Sequence, residues 1–172
     1  MTRPKAILIG PPGSGKTTIG SALADRLGAD FRDTDADVEA AAGKPVSEIF
    51  IDDGEPRFRE LESAAVRLAL TEHDGVLALG GGAVLAPDTQ RLLAGHTVVY
   101  LRVGLSDAVK RVGLAAARPL LVLNPRSRLR ELMAERAPIY ERLATVTVAT
   151  DDRDPGDIVE EIVKALPPAE VR

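Results

Sequence analysis

A four-residue apolar run, Ala6-Ile7-Leu8-Ile9, leads straight into Gly10-Pro11-Pro12-Gly13-Ser14-Gly15-Lys16-Thr17, and this junction constrains the chain more than anything else in it. The octapeptide reads glycine, four residues, glycine, lysine and a hydroxyl residue, the spacing of a loop that wraps a phosphate. Such a loop works in one setting only. A buried strand must deliver it and a helix must open within it, so that backbone N–H groups and the positive helix end converge on the anion. Glycine is needed because a Cβ would hold the backbone off the phosphate oxygens. Lys16 can then reach the β- and γ-phosphates, and the Thr17 hydroxyl can ligate Mg²⁺. A glycine-rich turn with a solvated lysine is the plain alternative.

The rest of the chain supplies that setting. Short apolar runs at 6–9, 30–33, 76–79, 98–101 and 146–149 alternate with amphipathic segments at 17–27, 36–42, 46–53, 56–71, 87–94, 105–112, 128–143 and 155–166. This alternation predicts a parallel sheet covered by helices, an α/β architecture. Gly28 and Gly43 stand where helix ends want a left-handed residue, and Ser47, Ser106 and Asp154 are expected as caps or first-turn residues. With 172 residues, 45% of them hydrophobic, and no Pro/Gly/Ser-rich linker, one domain spanning 1–172 is expected. Residues 113–125, interrupted by Pro119 and Pro125, lack helical or strand punctuation and are expected as a mobile lid, with a buried helix as the alternative. Residues 167–172 are expected to fray.

Composition narrows the chemistry. The 22 Lys and Arg against 26 Asp and Glu give a net charge of −4 without a like-charged block, which disfavours nucleic-acid and membrane-surface binding. Apolar runs of four to six residues are too short for a membrane span or a secretory signal, so a soluble cytoplasmic protein is expected. The chain has no cysteine and only two histidines, which removes thiolate metal sites, disulfides and thiol nucleophiles and disfavours a histidine-built metal centre. A monomer is the default expectation, since no extra edge strand or long apolar helix asks for a partner.

Three further features fall where ligands bind in open α/β sheets, at the carboxyl ends of strands. Asp33-Thr34-Asp35 closes the second strand, with Asp37 shortly after. Residues two apart on an extended chain face the same way, so Asp33 and Asp35 can face one site, where one can orient Mg²⁺ and its waters while the other takes a substrate hydroxyl and its proton. An ordinary helix cap with solvated carboxylates fits the string alone. Gly80-Gly81-Gly82 follows the third strand and would let a ligand come against bare backbone, although a flexible turn would look the same. Arg59, Arg118 and Arg136 read individually as surface charges, Arg59 with Glu55 and Glu62 at helical spacings. A small anionic substrate gives them a purpose, because a carboxylate is best held by a bidentate guanidinium and a transferring phosphoryl group by a mobile cation.

Taken together, Gly10 to Thr17, Asp33-Thr34-Asp35, Phe58-Arg59-Glu60-Leu61-Glu62, Gly80-Gly81-Gly82, Arg118-Pro119-Leu120-Leu121 and Arg136-Ala137-Pro138-Ile139-Tyr140 resemble the shikimate kinase family in order and spacing, from Lys5 to about Leu166. The resemblance implies a three-layer P-loop NTPase fold with a central five-stranded parallel sheet, helices on both faces, a lid around Arg118 and a substrate-binding helical region near 34–62. It implies ATP-dependent phosphorylation of the 3-hydroxyl of shikimate. Asp35, Arg59, Gly80, Gly81, Gly82 and Arg136 would hold shikimate, with Phe50, Phe58 and Glu62 lining or bracing the pocket. Gly13, Ser14, Gly15, Lys16, Thr17 and Thr18 would bind ATP, flanked at the adenine by Arg111, Arg153 and Pro155. Lys16, Asp35 and Arg118 would be catalytic, and Thr17 and Asp33 would serve Mg²⁺. Ala115-Ala116-Ala117 gives the lid no polar side chain just before Arg118, and Asp151-Asp152-Arg153-Asp154 makes the adenine loop acidic, with an expected small cost in ATP affinity. A gluconate-type kinase leaves Asp33-Thr34-Asp35, the glycine tract and Arg136 unexplained as a set. A nucleotide-gated binding module would be expected to lose acceptor residues that are all present. A GTPase switch would need an Asn-Lys-x-Asp element that is missing.

Overall fold

Five short strands, β1 (Ala6–Ile9), β2 (Phe31–Asp33), β3 (Val76–Ala78), β4 (Val98–Arg102) and β5 (Val146–Ala149), pair in parallel in the order β2-β3-β1-β4-β5. The computed structural model describes residues 2–112 and 125–168. Helices α1 (Lys16–Leu27), α2 (Thr34–Ala42), α3 (Val46–Glu72), α4 (Pro87–Leu93), α5 (Leu105–Val112), α6 (Pro125–Leu143) and α7 (Pro155–Ala165) cover the sheet, with a 3-10 turn at Ala83–Leu85. The sheet and helices follow the expected pattern, with ends shifted by a few residues. The lid segment lies outside the described residues, apart from Pro125 at the start of α6, as do 169–172 of the tail.

Period-two alternation builds two cores from one sheet. Ala6 and Leu8 of β1 pack with Val76, Ala78, Val99 and Leu101 against α1 and α7, through Ile19, Leu23, Ile158 and Ile162. Ile7 and Ile9 point the other way, with Leu77, Val98 and Tyr100, onto Val66, Ala69 and Leu70 of α3 and Tyr140 of α6. Each fully buried Leu or Ile stabilises the fold by about 1.5–3 kcal/mol. A third small core, Val38, Val46, Ile49 and Phe58, joins α2 to the first half of α3 away from the sheet. That is the helical region beside β2 expected from the resemblance.

The end punctuation is largely as read. Gly28 and Gly43 are both left-handed and close α1 and α2, and Ser47 and Ser106 lie in the first turns of α3 and α5. Asp154 does stand at the start of α7, but its side chain makes no capping bond; its backbone carbonyl accepts from Asp157 and Ile158 instead. The two helices expected at 46–53 and 56–71 form one element broken at Gly54, whose φ of 85° and ψ of 163° suit glycine alone, and Pro56 restarts the helix behind it. His73 is buried with Nε2 between the carbonyl oxygens of Asp30 and Val76, at 3.1 and 3.0 Å, so this nitrogen carries the hydrogen and ties β2 to β3. Among the described residues no helix is long and apolar enough to cross a membrane.

With β1 central, the chain leaves it first toward β2 and β3 and later toward β4 and β5. The carboxyl end of β1 is therefore the switch point where such sheets bind ligands, and the glycine-rich loop sits there.

Candidate functional site

The loop after β1 is shaped by its glycines. Gly13 and Gly15 have φ of 81° and 93°, and Gly15 is the left-handed residue from which α1 starts. Ser14 is fully buried between them. The Lys16 ammonium folds back over the loop, donating to the carbonyl oxygens of Gly10 at 2.8 Å and Pro11 at 3.0 Å. A cavity of about 380 Å³ opens in front of it, lined by Gly13, Lys16, Thr17, Asp33, Asp35 and Gly81 among others. Phosphate loop and acidic pair thus share one space.

Asp33 and Asp35 do different things within that space. Asp33 caps α2, accepting the Asp35 N–H at 2.9 Å on Oδ1, and the Thr17 hydroxyl lies 3.5 Å from its Oδ2. Burial raises the Asp33 pKa above the ordinary carboxylate value; the Asp35 charge adds to this, while the bond from the Asp35 N–H and the Lys16 charge oppose it. A carboxylate so placed gains from a nearby cation. Asp37 instead pairs with Arg32 at 2.8 Å and does not line this cavity.

The glycine tract is where the residues expected on the acceptor side meet. A Cβ on Gly80 would lie 2.6 Å from Asp35 Oδ1 and 2.9 Å from Glu62 Oε2, and one on Gly82 would lie 2.6 Å from both terminal nitrogens of Arg59. A Cβ on Gly81 would meet Pro12 Cδ at 3.2 Å and an Arg136 nitrogen at 3.5 Å. The absent side chains therefore make room for protein groups as well as for a ligand. The N–H of Gly80 is bonded to Thr34 Oγ1 at 3.2 Å, so this glycine contributes shape rather than a free donor.

Two guanidiniums flank the tract. Arg59 is held by Glu62 at 2.7 Å and Glu55 at 3.2 Å, with its Cζ 5.2 Å from the Phe58 ring centroid. Phe58 is buried against Phe50, ring centroids 4.7 Å apart. The ion pairs that read as a surface face at helical spacing instead orient Arg59 toward Gly82. Arg136 is only 5% exposed, and among the described residues its buried Nε has no hydrogen-bond partner. A buried cation with an unused donor is costly unless an anion meets it.

On the other side of the loop Arg111 donates to the Gly13 carbonyl at 3.1 Å, to Thr150 Oγ1 at 3.2 Å and to the Thr150 carbonyl at 2.9 Å. A cleft of about 250 Å³ lies between Gly15, Thr18, Arg111, Arg153 and Pro155. Arg153 pairs with Glu161 at 2.8 Å and donates to the Ala149 carbonyl. Within the acidic loop Asp151 accepts the Gly104 N–H at 2.7 Å. A larger cleft, about 580 Å³, sits at the opposite edge of the sheet around Arg3, Lys5, Asp30 and Asp74; it carries mixed charge and none of the motifs.

Every sequence-proposed site residue within the described regions lies at the carboxyl edge of the sheet or in the helical region beside it. Arg118 lies outside the described residues. Sequence reasoning gave no role to Thr34, Tyr140 or Thr150, all buried, the first two hydrogen-bonded to the backbone of the glycine tract and the third to the Arg111 guanidinium. The first two were inside recognised motifs, but hydroxyl contacts to distant glycines leave no local pattern.

The shikimate kinase family model matches residues 12–167. A shikimate kinase of Salinispora arenicola is 60% identical over 163 residues, covering 95% of this chain and 98% of that protein. One of Thermobifida fusca is 58% identical over 168 residues, covering 98% of each. Among solved structures, a shikimate kinase from Acinetobacter baumannii in complex with shikimate superposes with a TM-score of 0.90 at 34% identity, covering 95% of this chain and 92% of that one.

Proposed function

The chain belongs to the shikimate kinase family, and from that premise we propose how its residues share the work of phosphorylating shikimate with ATP. The enzyme acts in the shikimate pathway. Our reading is that the shikimate 3-hydroxyl attacks the γ-phosphorus in line, giving shikimate 3-phosphate and ADP. Because a loose phosphoryl transition state asks for little covalent help, the protein contributes mainly position and countercharge.

The observation that carries the acceptor assignment is Arg136, a buried cation whose Nε is unsatisfied among the described residues, reaching the same glycine tract as Arg59. Two guanidiniums beside one carboxylate suit a substrate with a carboxylate at one end and hydroxyls at the other. In this reading Arg59 and Arg136 bind the shikimate carboxylate, Gly81 and Gly82 form its floor, and Glu62 holds Arg59 in register. Asp35 receives the hydroxyl and its proton. The relative from A. baumannii, in complex with shikimate, supports that choice of acceptor.

On the nucleotide side, Gly13 to Thr18 cradle the phosphates and Lys16 swings from the Gly10 and Pro11 carbonyls onto the β- and γ-oxygens. Arg111, Arg153 and Pro155 flank the adenine, and Arg118 approaches the transferring group as the lid closes. Thr17 and Asp33 fit Mg²⁺, being hard oxygen donors side by side, one of them a carboxylate that burial leaves short of countercharge. When bound, Mg²⁺ neutralises phosphate charge.

The test is ADP release from Mg-ATP with shikimate, quinate, gluconate or no acceptor in parallel, for the native enzyme and Asp35→Asn. Release should depend on shikimate, and the variant should lose most turnover while still binding ATP. Near-normal turnover in Asp35→Asn would remove the proton-acceptor role, and release on gluconate alone would remove the acceptor assignment.

A further inference from the structure

A tract of three glycines is the most pliable backbone a protein can place beside a substrate, yet here it must act as a fixed wall. Two buried hydroxyls hold it from opposite sides. Thr34 is fully buried at the start of α2 and accepts the Gly80 N–H on Oγ1 at 3.2 Å. Tyr140 is 1% exposed on α6 and donates its phenol hydrogen to the Gly81 carbonyl at 2.5 Å. Its ring is fixed by stacking on Tyr100 of β4, centroids 5.1 Å apart.

Each clamp is also the neighbour of a substrate-side residue. Thr34 immediately precedes Asp35, whose Oδ1 lies against Gly80. Tyr140 stands four residues after Arg136 on α6, the spacing that puts both on one helix face, and Arg136 lies against Gly81. A shift of the tract therefore moves the proton acceptor and the carboxylate-binding guanidinium relative to each other. We propose that Thr34 and Tyr140 are positioning residues that lock Gly80 and Gly81 between them and so set the distance between Asp35 and Arg136 across the shikimate pocket. This rests on the reading of the pocket given above. Neither hydroxyl touches the reacting atoms. Their effect is on how well the empty pocket already matches the acceptor, so it should fall on shikimate and spare ATP.

The experiment is steady-state kinetics with each substrate varied separately, for Thr34→Val, Thr34→Ser, Tyr140→Phe and the control Arg136→Lys, alongside melting curves. Thr34→Val keeps the shape and leaves the Gly80 N–H unsatisfied, so the shikimate KM should rise about tenfold, with Tyr140→Phe smaller at about threefold to tenfold. The ATP KM should stay within about twofold of native in both. Thr34→Ser restores the acceptor oxygen and should return the shikimate KM close to native. Equal rises in both KM values, or no rescue by serine, would overturn the proposal, because a general loss of structure does not choose between substrates. Should Thr34→Val fail to fold, Tyr140→Phe decides alone, since it removes one oxygen and keeps the ring stack; an unchanged shikimate KM there overturns the clamp. If Arg136→Lys raises the shikimate KM while Tyr140→Phe does not, the clamp alone is wrong. If Arg136→Lys leaves it unchanged, the pocket reading is wrong and the clamp falls with it.

Discussion

The phosphate loop and the proposed acceptor side of this site are built from different material. The phosphate loop is mostly backbone from one contiguous stretch, with Lys16 and Ser14 folded into it. The acceptor side is mostly side chains drawn from α2, α3 and α6, and it holds together only because three glycines let Asp35, Glu62, Arg59 and Arg136 close on one strip of backbone. A backbone cradle recognises any phosphate chain of the right length. A ring of convergent side chains recognises one acceptor. The two halves should therefore fail in different ways when damaged.

The largest effect is expected from Lys16→Ala, which should lower kcat by a factor on the order of 10²–10³ by removing charge that meets the transferring phosphate. Steady-state turnover and a melting curve check it; a variant that does not fold would show that the bonds to Gly10 and Pro11 matter more to the loop than its chemistry. Next is Gly82→Ala, whose new Cβ would stand 2.6 Å from the Arg59 nitrogens. Those are the ends of a flexible side chain, so the fold should survive with Arg59 displaced, raising the shikimate KM by roughly tenfold at constant ATP KM. A rise in the ATP KM instead would erase the distinction between the two sides.

Gly20→Ala sharpens the comparison from outside the site. A Cβ there would sit 2.2 Å from the Phe31 ring, between α1 and β2, and overpacking should destabilise the protein by about 1–3 kcal/mol. Both KM values measured well below the melting point should be native. The smallest effect is that of Asp33→Asn on the ligand-free protein. Because the folded pKa of Asp33 is raised, chiefly by burial, the fold binds its proton more tightly than the unfolded chain does. Stability from this group is thus present at low pH and lost as pH rises from the ordinary carboxylate value through the raised one. Asparagine removes that loss, so the variant should melt slightly higher than native at neutral pH, with the advantage shrinking as pH falls below the carboxylate range. An advantage that grows with acidity would contradict the sign.

The difference between the two sides also explains what was legible in the sequence. The phosphate loop could be read at once, since its function lies in local spacing and a strand-to-helix setting. The sheet was readable for a similar reason: β1 is apolar throughout and runs into Gly10, and β4 is an apolar run closed by Arg102. Arg59 and Arg136 were ambiguous as isolated charges, and only their place in a longer pattern marked them. Gly80 to Gly82 were visible as a break, but that their missing side chains admit Asp35, Glu62 and Arg59 depends on helical residues 18 to 45 positions away. Thr34, Tyr140 and Thr150 gave no signal as anchors, because a hydroxyl bonded to a remote backbone atom has no sequence period. Asp154 was legible as the residue that starts α7, although its side chain makes no capping bond there.

The central claim is that Arg59 and Arg136 read the carboxylate of the acceptor. It is tested most directly by comparing kcat/KM for shikimate with that for its methyl ester, in the native enzyme and in Arg136→Met, which keeps bulk and removes charge. The account predicts that the native enzyme prefers the free acid by a factor on the order of 10² or more and that the preference collapses toward unity in the variant. A preference that survives the substitution unchanged would mean that the carboxylate is bound elsewhere, and the pocket against the glycine tract would have to be given up as the acceptor site.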